Sequence, residues 1–219
     1  MASNPLGRDL AKQALEKRAL NGDPASQTAL GDRYFEGDGV PKNVTKAAEW
    51  FEKAATQGFG GAEFKLGIIY QTGLLGFTNS SKAVELFRRA ANHGVDAAEY
   101  CLGSAYLYGR GVDQNYLLAV EIFRKAALRG DPAAADALGY CYVEGIGVRR
   151  DVVEGLKWIR ASVGKGYGYA EFHLGVLYET GVGVEKDERE AVHWYRLAAA
   201  KGISEADQAR QRIGRKSRQ

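Results

Sequence analysis

Three recurrences predict an all-α fold of stacked helix pairs for this 219-residue chain. A Leu-Gly pair returns as Leu30-Gly31, Leu66-Gly67, Leu102-Gly103, Leu138-Gly139 and Leu174-Gly175, each 36 residues after the last. In the same register stand Asn43, Asn79, Asn115, Asp151 and Asp187, whose side chains can cap a helix start, and Gly58, Gly94, Gly130, Gly166 and Gly202, suited to the left-handed residue that ends one. A fixed period in this range marks a solenoid, in which each unit buries one face on its neighbour.

The elements follow in order. Met1–Gly7, with Asn4 and Pro5, is expected to fray. Arg8–Leu20 reads as a helix, with Ala11 and Ala19 in columns later held by Ala47 and Ala55, so the array opens on half a repeat. Each full unit then runs as helix A, a Gly-containing loop and helix B. In the first, helix A covers Ala25–Glu36, the loop Gly37–Lys42, and helix B Val44–Gln57. On helix A the repeat Leu and Tyr34, Tyr70, Tyr106, Tyr142 and Tyr178 lie four apart and share one face. Their partners on helix B are Trp50, Leu86, Ile122, Trp158 and Trp194, next to Phe51, Phe87, Phe123, Ile159 and Tyr195. Glycine inside a helix costs about 1 kcal/mol against alanine. Its place after each Leu therefore predicts a close approach of two helix backbones, facing the small columns Ala47, Ala83, Ala119, Gly155, Ala191 and Ala54, Ala90, Ala126, Ser162, Ala198. The second loop, Gly73-Leu74-Leu75-Gly76, departs from Gly-x-Gly-Val and should take another shape, while Gly155 and Ser162-Val163 predict a looser fourth helix B. Residues 8–203 form the repeat array. A polar capping helix, Ser204–Ile213, and a basic tail, Gly214–Gln219, complete the chain.

These residues, A-xxx-L-G-xx-Y-xx-G-x-G-V-xx-[DN]-xxx-A-xx-[WLI], resemble the Sel1-like repeat family, a relative of tetratricopeptide repeats, from about Arg8 to Ala206. The resemblance implies a right-handed α-solenoid of antiparallel helix pairs. It further implies adaptor roles in signalling, complex assembly, quality control or host–microbe contact.

Composition bounds the function. With 45% hydrophobic and 26% charged residues and no long apolar run, the chain is expected to carry no membrane segment and, as written, to stay in the cytoplasm. An exported mature form, trimmed of its leader before Met1-Ala2-Ser3, remains the alternative. The net charge of +3 is accounted for by Arg210, Arg212, Arg215, Lys216 and Arg218 set against Glu205 and Asp207, which leaves the body neutral and argues against nucleic acid as a partner. Cys101 and Cys141, 40 apart, make neither a CxxC pair nor a disulfide framework; reduced thiols are expected, with a bridge between them left open.

Catalytic signatures are not evident. Gly109-Arg110-Gly111 and its counterparts link two helices, so they are structural and do not cradle phosphate. His93 and His193 fall in columns read as solvated, and His173 has no Cys or carboxylate at metal-ligand or triad spacing. No cofactor, metal or enzymatic activity is expected.

The informative columns are those helix A leaves free. By similarity to tetratricopeptide arrays, the positions two before the Leu, two after it, and five and six after it line the concave face. Phe64, Ile68, Tyr100, Ser104, Leu107, Tyr108, Asp136, Tyr140, Glu144, Phe172 and Glu179 are accordingly the candidate partner-binding residues. Apolar surface that stacking does not require marks a partner site. Asp32, Asp136, Glu144 and Glu179 among the aromatics suggest a ligand with apolar anchors and a Lys or Arg. Lateral packing of Phe64, Tyr100 and Phe172 between A helices is the competing reading. The expected function is a non-enzymatic, monomeric scaffold that binds a protein or peptide segment in its groove; the alternative is an inhibitor or immunity-type protein that blocks one dedicated toxin or enzyme.

Overall fold

The structure, a computed structural model, describes residues 5–216, with side chains from residue 10 onward save 11 and 216. Residues 1–4 of the segment expected to fray and residues 217–219 of the basic tail lie outside the described residues. Twelve α-helices and no strand occur among the described residues, in two compact units, Met1–Gln114 and Asn115–Gln219.

The first unit holds α1 (Pro5–Leu20), α2 (Pro24–Glu36), α3 (Val44–Ala55), α4 (Gly60–Thr72), α5 (Ser80–Asn92) and α6 (Asp96–Tyr108). Each helix packs on the next in chain order, α2 with α3 and α4 with α5 forming the A/B pairs. The second unit holds α7 (Tyr116–Leu128), α8 (Pro132–Glu144), α9 (Val152–Val163), α10 (Gly168–Thr180), α11 (Glu188–Ala200) and α12 (Ser204–Lys216). Here too neighbours in sequence are neighbours in space, with pairs α8/α9 and α10/α11 closed by α12. Helix α1 starts at Pro5, ahead of the expected Arg8, because proline suits the first helical position. At the other end α12 runs through Lys216, past the expected Ile213.

Local chemistry sets the helix-B boundaries as the columns predict. Asn43, Asn79, Asn115 and Asp151 accept the backbone N–H three residues on, from Lys46, Lys82, Leu118 and Glu154, at 2.9 to 3.0 Å. Asp187 accepts two, from Arg189 and Glu190. At the far end Gly58, Gly94, Gly130, Gly166 and Gly202 all hold positive φ, where a Cβ would strain the backbone. The second loop does differ: a turn closes from Gly76 N–H to the Gly73 carbonyl at 2.8 Å.

The repeat glycines do not all serve the close backbone approach expected of them. A Cβ on Gly67 would sit 2.6 Å from the Phe87 ring and one on Gly175 2.7 Å from Tyr195, so these glycines make room for an aromatic ring, itself fully buried. In α8/α9, where Ile159 replaces the ring, the backbones come closer: a Cβ on Gly139 would lie 2.8 Å from the Gly155 carbonyl, against 3.3 Å from the Ala191 carbonyl for one on Gly175. Helix α9 is thus held closer than expected, not looser. Ser162 adds a hydrogen bond to the Pro132 carbonyl at 2.6 Å. Cys141 is a thiol buried in this core, and burial pushes its pKa up to about 11.

Candidate functional site

On the A helices the outward stripe is set by the 100° turn per residue. Positions one before the repeat Leu (Ala29, Lys65, Cys101, Ala137, His173) are half-buried, and those two after it (Asp32, Ile68, Ser104, Val176) are too, with Tyr140 exposed. All residues six after it, Glu36, Thr72, Tyr108, Glu144 and Thr180, are exposed. The columns two before and five after sit roughly 70 to 90° away round the helix and turn toward the core.

That rotation divides the candidate residues. Ile68, Ser104, Tyr108, Tyr140 and Glu144 lie on the stripe, Tyr108 being 56% exposed with the Arg110 guanidinium 4.9 Å above its ring. Phe64, Tyr100, Phe172 and Glu179 lie at its edge, half-buried. Phe64 packs on Phe87 at 6.0 Å and Phe172 on Tyr195 at 5.7 Å, so these two rings also serve the A/B contact. Leu107 and Asp136 are buried, at 5% and 4% exposure, beneath the stripe instead of on it. The column one before the Leu, which similarity to tetratricopeptide arrays does not single out, belongs to the stripe and brings in Lys65 and His173.

Three of the four expected acceptors are already occupied by basic side chains of the chain. Asp32 holds Lys65 Nζ at 2.6 Å. Asp136 takes His173 Nδ1 at 2.8 Å, while the Tyr140 ring stacks on the imidazole at 5.6 Å and 23°. Glu179 receives Arg212 Nη2 on both carboxylate oxygens at 2.7 Å and the Tyr195 hydroxyl at 2.7 Å. Burial, and then the hydrogen bond to Glu179, holds the Tyr195 phenol above its ordinary range. The carboxylate missing at sequence spacing around His173 therefore comes from one repeat earlier, 37 residues back.

A second polar column runs inside the A/B pairs, where the sequence showed only solvated positions. Glu63, fully buried, meets Arg89 at 2.6 Å and His93 Nδ1 at 2.7 Å. Its first-repeat counterpart Gln27 accepts from Gln57 at 2.8 Å, and Glu171 pairs with Lys201. Gln27 stands opposite Gln57, Glu63 opposite His93 and Glu171 opposite Lys201, a signal legible when the two columns are read together.

Short antiparallel helix pairs in 36-residue register, each closed on the next, define an α-helical repeat protein of the solenoid class. The chain belongs to the Sel1 repeat family: the family model matches residues 24–59, 61–95, 96–131, 132–167 and 168–203, most of the chain. Sel1 repeat proteins are in general protein-interaction scaffolds. Among solved structures it is similar to a Sel1 repeat protein from Oxalobacter formigenes, at 34% identity and TM-score 0.78, covering 86% of this chain and 75% of that one. It is also similar to c5321, a protective antigen of uropathogenic Escherichia coli with the same repeat fold, at 33% identity and TM-score 0.75. There 93% of this chain is covered but 44% of the antigen, so this chain spans less than half the antigen's length. The immunity protein Pa5087 of Pseudomonas aeruginosa shares the fold at 23% identity and TM-score 0.59, over 81% and 68% of the two chains. No curated protein matches the sequence.

Proposed function

We propose that the chain is a non-enzymatic scaffold that binds a segment of a partner protein on the outward stripe of its A helices. One observation carries this reading: Tyr108 in the first unit and Tyr140 in the second are exposed, and Ile68 is half-buried, on the outward stripe of helix A. Such surface on a rigid helical support is what helix-in-groove and extended-peptide recognition use. Among the described residues no helix is long and apolar enough to cross a membrane; a cytoplasmic, monomeric scaffold without cofactor fits the reading, with 8–203 as the binding body and 204–219 as a polar capping helix and basic tail.

The test is affinity capture from a lysate of the source organism, comparing the intact chain with Ile68→Ala/Tyr108→Ala/Tyr140→Ala. These side chains are exposed or half-buried, so helical content should be unchanged while partner recovery falls about ten-fold, a loss of roughly 1.4 kcal/mol. Equal recovery overturns the proposal. One dominant stripe-dependent partner identifies a dedicated adaptor or an immunity-type inhibitor, and several sharing a motif identify a general scaffold.

A further inference from the structure

The near-neutral body of the chain conceals a segregation of charge. In the second unit α8 and α10 carry Asp136, Glu144, Glu171 and Glu179 and no Lys or Arg. The B helices carry the cations, and these gather at one end. Residues 122–130, 158–167 and 194–202, the closing halves of α7, α9 and α11 with the turns that follow, hold three, two and two Lys or Arg and no Asp or Glu. The ends stand in a row: Lys165 Nζ donates to the Gly130 carbonyl at 3.1 Å and Lys201 Nζ to the Gly166 carbonyl at 2.8 Å, so each turn lies within one lysine side chain of the next.

We infer that this edge of α7, α9 and α11 docks on an anionic lipid surface, with Arg124, Arg160, Lys165 and Arg196 over the headgroups and Leu128 and Tyr169 entering the interface. The inference goes beyond the scaffold reading. The A-helix stripe is turned away from the B helices, so a docked chain keeps that stripe open to a partner protein. All four cations are exposed and unmatched by an acid. Arg124 Nη2 donates to the Tyr142 hydroxyl at 2.7 Å and Lys165 to a carbonyl, both neutral acceptors, while Arg160 and Arg196 form no ion pair among the described residues.

Cations in a last turn complement the helix dipole, which is reason enough for a basic residue at each end. It gives no reason for the apolar tips among them. Leu128, 71% exposed, shares a face of α7 with Arg124, and Tyr169, 45% exposed, opens α10 with its ring 5.9 Å from that of Tyr167 in the turn after α9. Stacking does not ask for this chemistry either: α3 has Glu52 where α7 has Arg124 and Thr56 where it has Leu128, all four exposed. A phosphate backbone offers such tips nothing, whereas a bilayer attracts Lys and Arg to its acidic headgroups and takes aliphatic and tyrosine side chains at its interface. An acidic protein would have to set carboxylates against three helix ends in a row; a lipid surface presents anions wherever the edge meets it. The acids of these B helices lie nearer their starts, Glu121 on α7, Glu188 and Glu190 on α11, and Glu154 on α9, which holds Lys157 at 3.0 Å. At the margin Asp131 caps α8, Glu171 is buried against Lys201, Glu205 accepts from Ser204 and Asp207 holds Arg210.

The experiment sediments the full chain with vesicles of phosphatidylcholine alone and of phosphatidylcholine with about a third phosphatidylserine. The chain should partition onto the acidic vesicles alone at about 0.1 M salt and be released as the salt rises to about 0.5 M, a readout that needs no variant. Arg160→Gln/Arg196→Gln should weaken partition roughly twenty-fold, at about five-fold per charge. Leu128→Thr/Tyr169→Ala keeps every charge and should weaken it several-fold through the lost apolar contact. Both pairs are exposed, so urea unfolding of the variants should match that of the intact chain. Equal partition onto the two kinds of vesicle, none onto either, or indifference to either pair of substitutions overturns the inference. Capture of a short DNA duplex through Arg160 and Arg196 in place of vesicles moves the edge to nucleic acid and overturns it too. None of these outcomes touches the A-helix stripe, whose own test is partner capture.

Discussion

At the residue scale the clearest consequence lies with Glu63. A fully buried carboxylate held by Arg89 and His93, which are themselves 38% and 45% exposed, is stabilising only while its partners stay. Removing one member of a buried pair costs about 3–5 kcal/mol, and the exposure of both partners here reduces that to about 2 kcal/mol for Glu63→Gln. Urea unfolding checks it. The first repeat shows what an uncharged pair looks like, Gln27 with Gln57, so Glu63→Gln/His93→Gln should recover part of the loss. Recovery would show that an amide pair can replace the carboxylate and imidazole at this position, as it does in the first repeat. Cys141 gives a second residue-level expectation. With its pKa raised to about 11, burial holds the group as the neutral thiol until the pH approaches that value. At pH 8 only about one thiol in a thousand is thiolate, so Cys141 should react with a thiol reagent some hundred-fold more slowly than an ordinary cysteine, recovering on unfolding. The role of His93 is hidden in the sequence because its column contains Gln57, Arg129, Lys165 and Lys201, all solvent-loving types. The polar ends of Arg89 and His93 reach a buried carboxylate on the facing helix, and a single column does not reveal what it faces.

At the scale of elements, helix-B boundaries are the most legible part of the chain. Caps are local: Asn79 and its counterparts depend on a few neighbouring backbone groups, which a sequence contains in full. Asp187→Ala, which frees two N–H groups, should cost about 1–2 kcal/mol in thermal or urea unfolding. Which face helix A turns outward is less legible: Leu107 and Asp136, expected on the surface, are both buried. Two columns flanking a stripe differ from its centre by less than a quarter turn, and only the packing of the next helix decides which is covered. The repeat glycines are ambiguous for a similar reason. Gly139 faces backbone while Gly67 faces a ring, so Gly139→Ala should be the harder substitution to relax, costing about 1–3 kcal/mol by overpacking, with α8 and α9 forced apart. A control is at hand in Gly214, helical within α12 and with open space where a methyl would go, so that alanine there should add up to about 0.5 kcal/mol.

At the scale of the whole chain, the repeat principle makes stability a sum over neighbouring helices, so the end of the array matters out of proportion to its length. Helix α12 sets Ala206, Ala209 and Ile213 against Ala191, Tyr195, Ala198 and Ile203, and supplies Arg212 to Glu179. Ending the chain after Ile203 would expose the Tyr195 ring, now fully buried, and leave Glu179 without its guanidinium. Loss of one buried isoleucine, two alanines and the surface they cover amounts to about 3–5 kcal/mol. Within the second unit each helix touches its sequence neighbours, so the loss should not spread evenly. Hydrogen exchange on the shortened chain should quicken most in α11 and α10 and progressively less through α9 and α8, as a frayed array would. Uniform loss of protection across these helices would mean instead that the unit unfolds as one block, and that α12 stabilises the whole of it at once. The two outcomes bear directly on recognition. A graded array would keep α8 and Tyr140 ordered while α10 is loosened, so a partner segment held on the α10 part of the stripe would be released by fraying of the last helix alone.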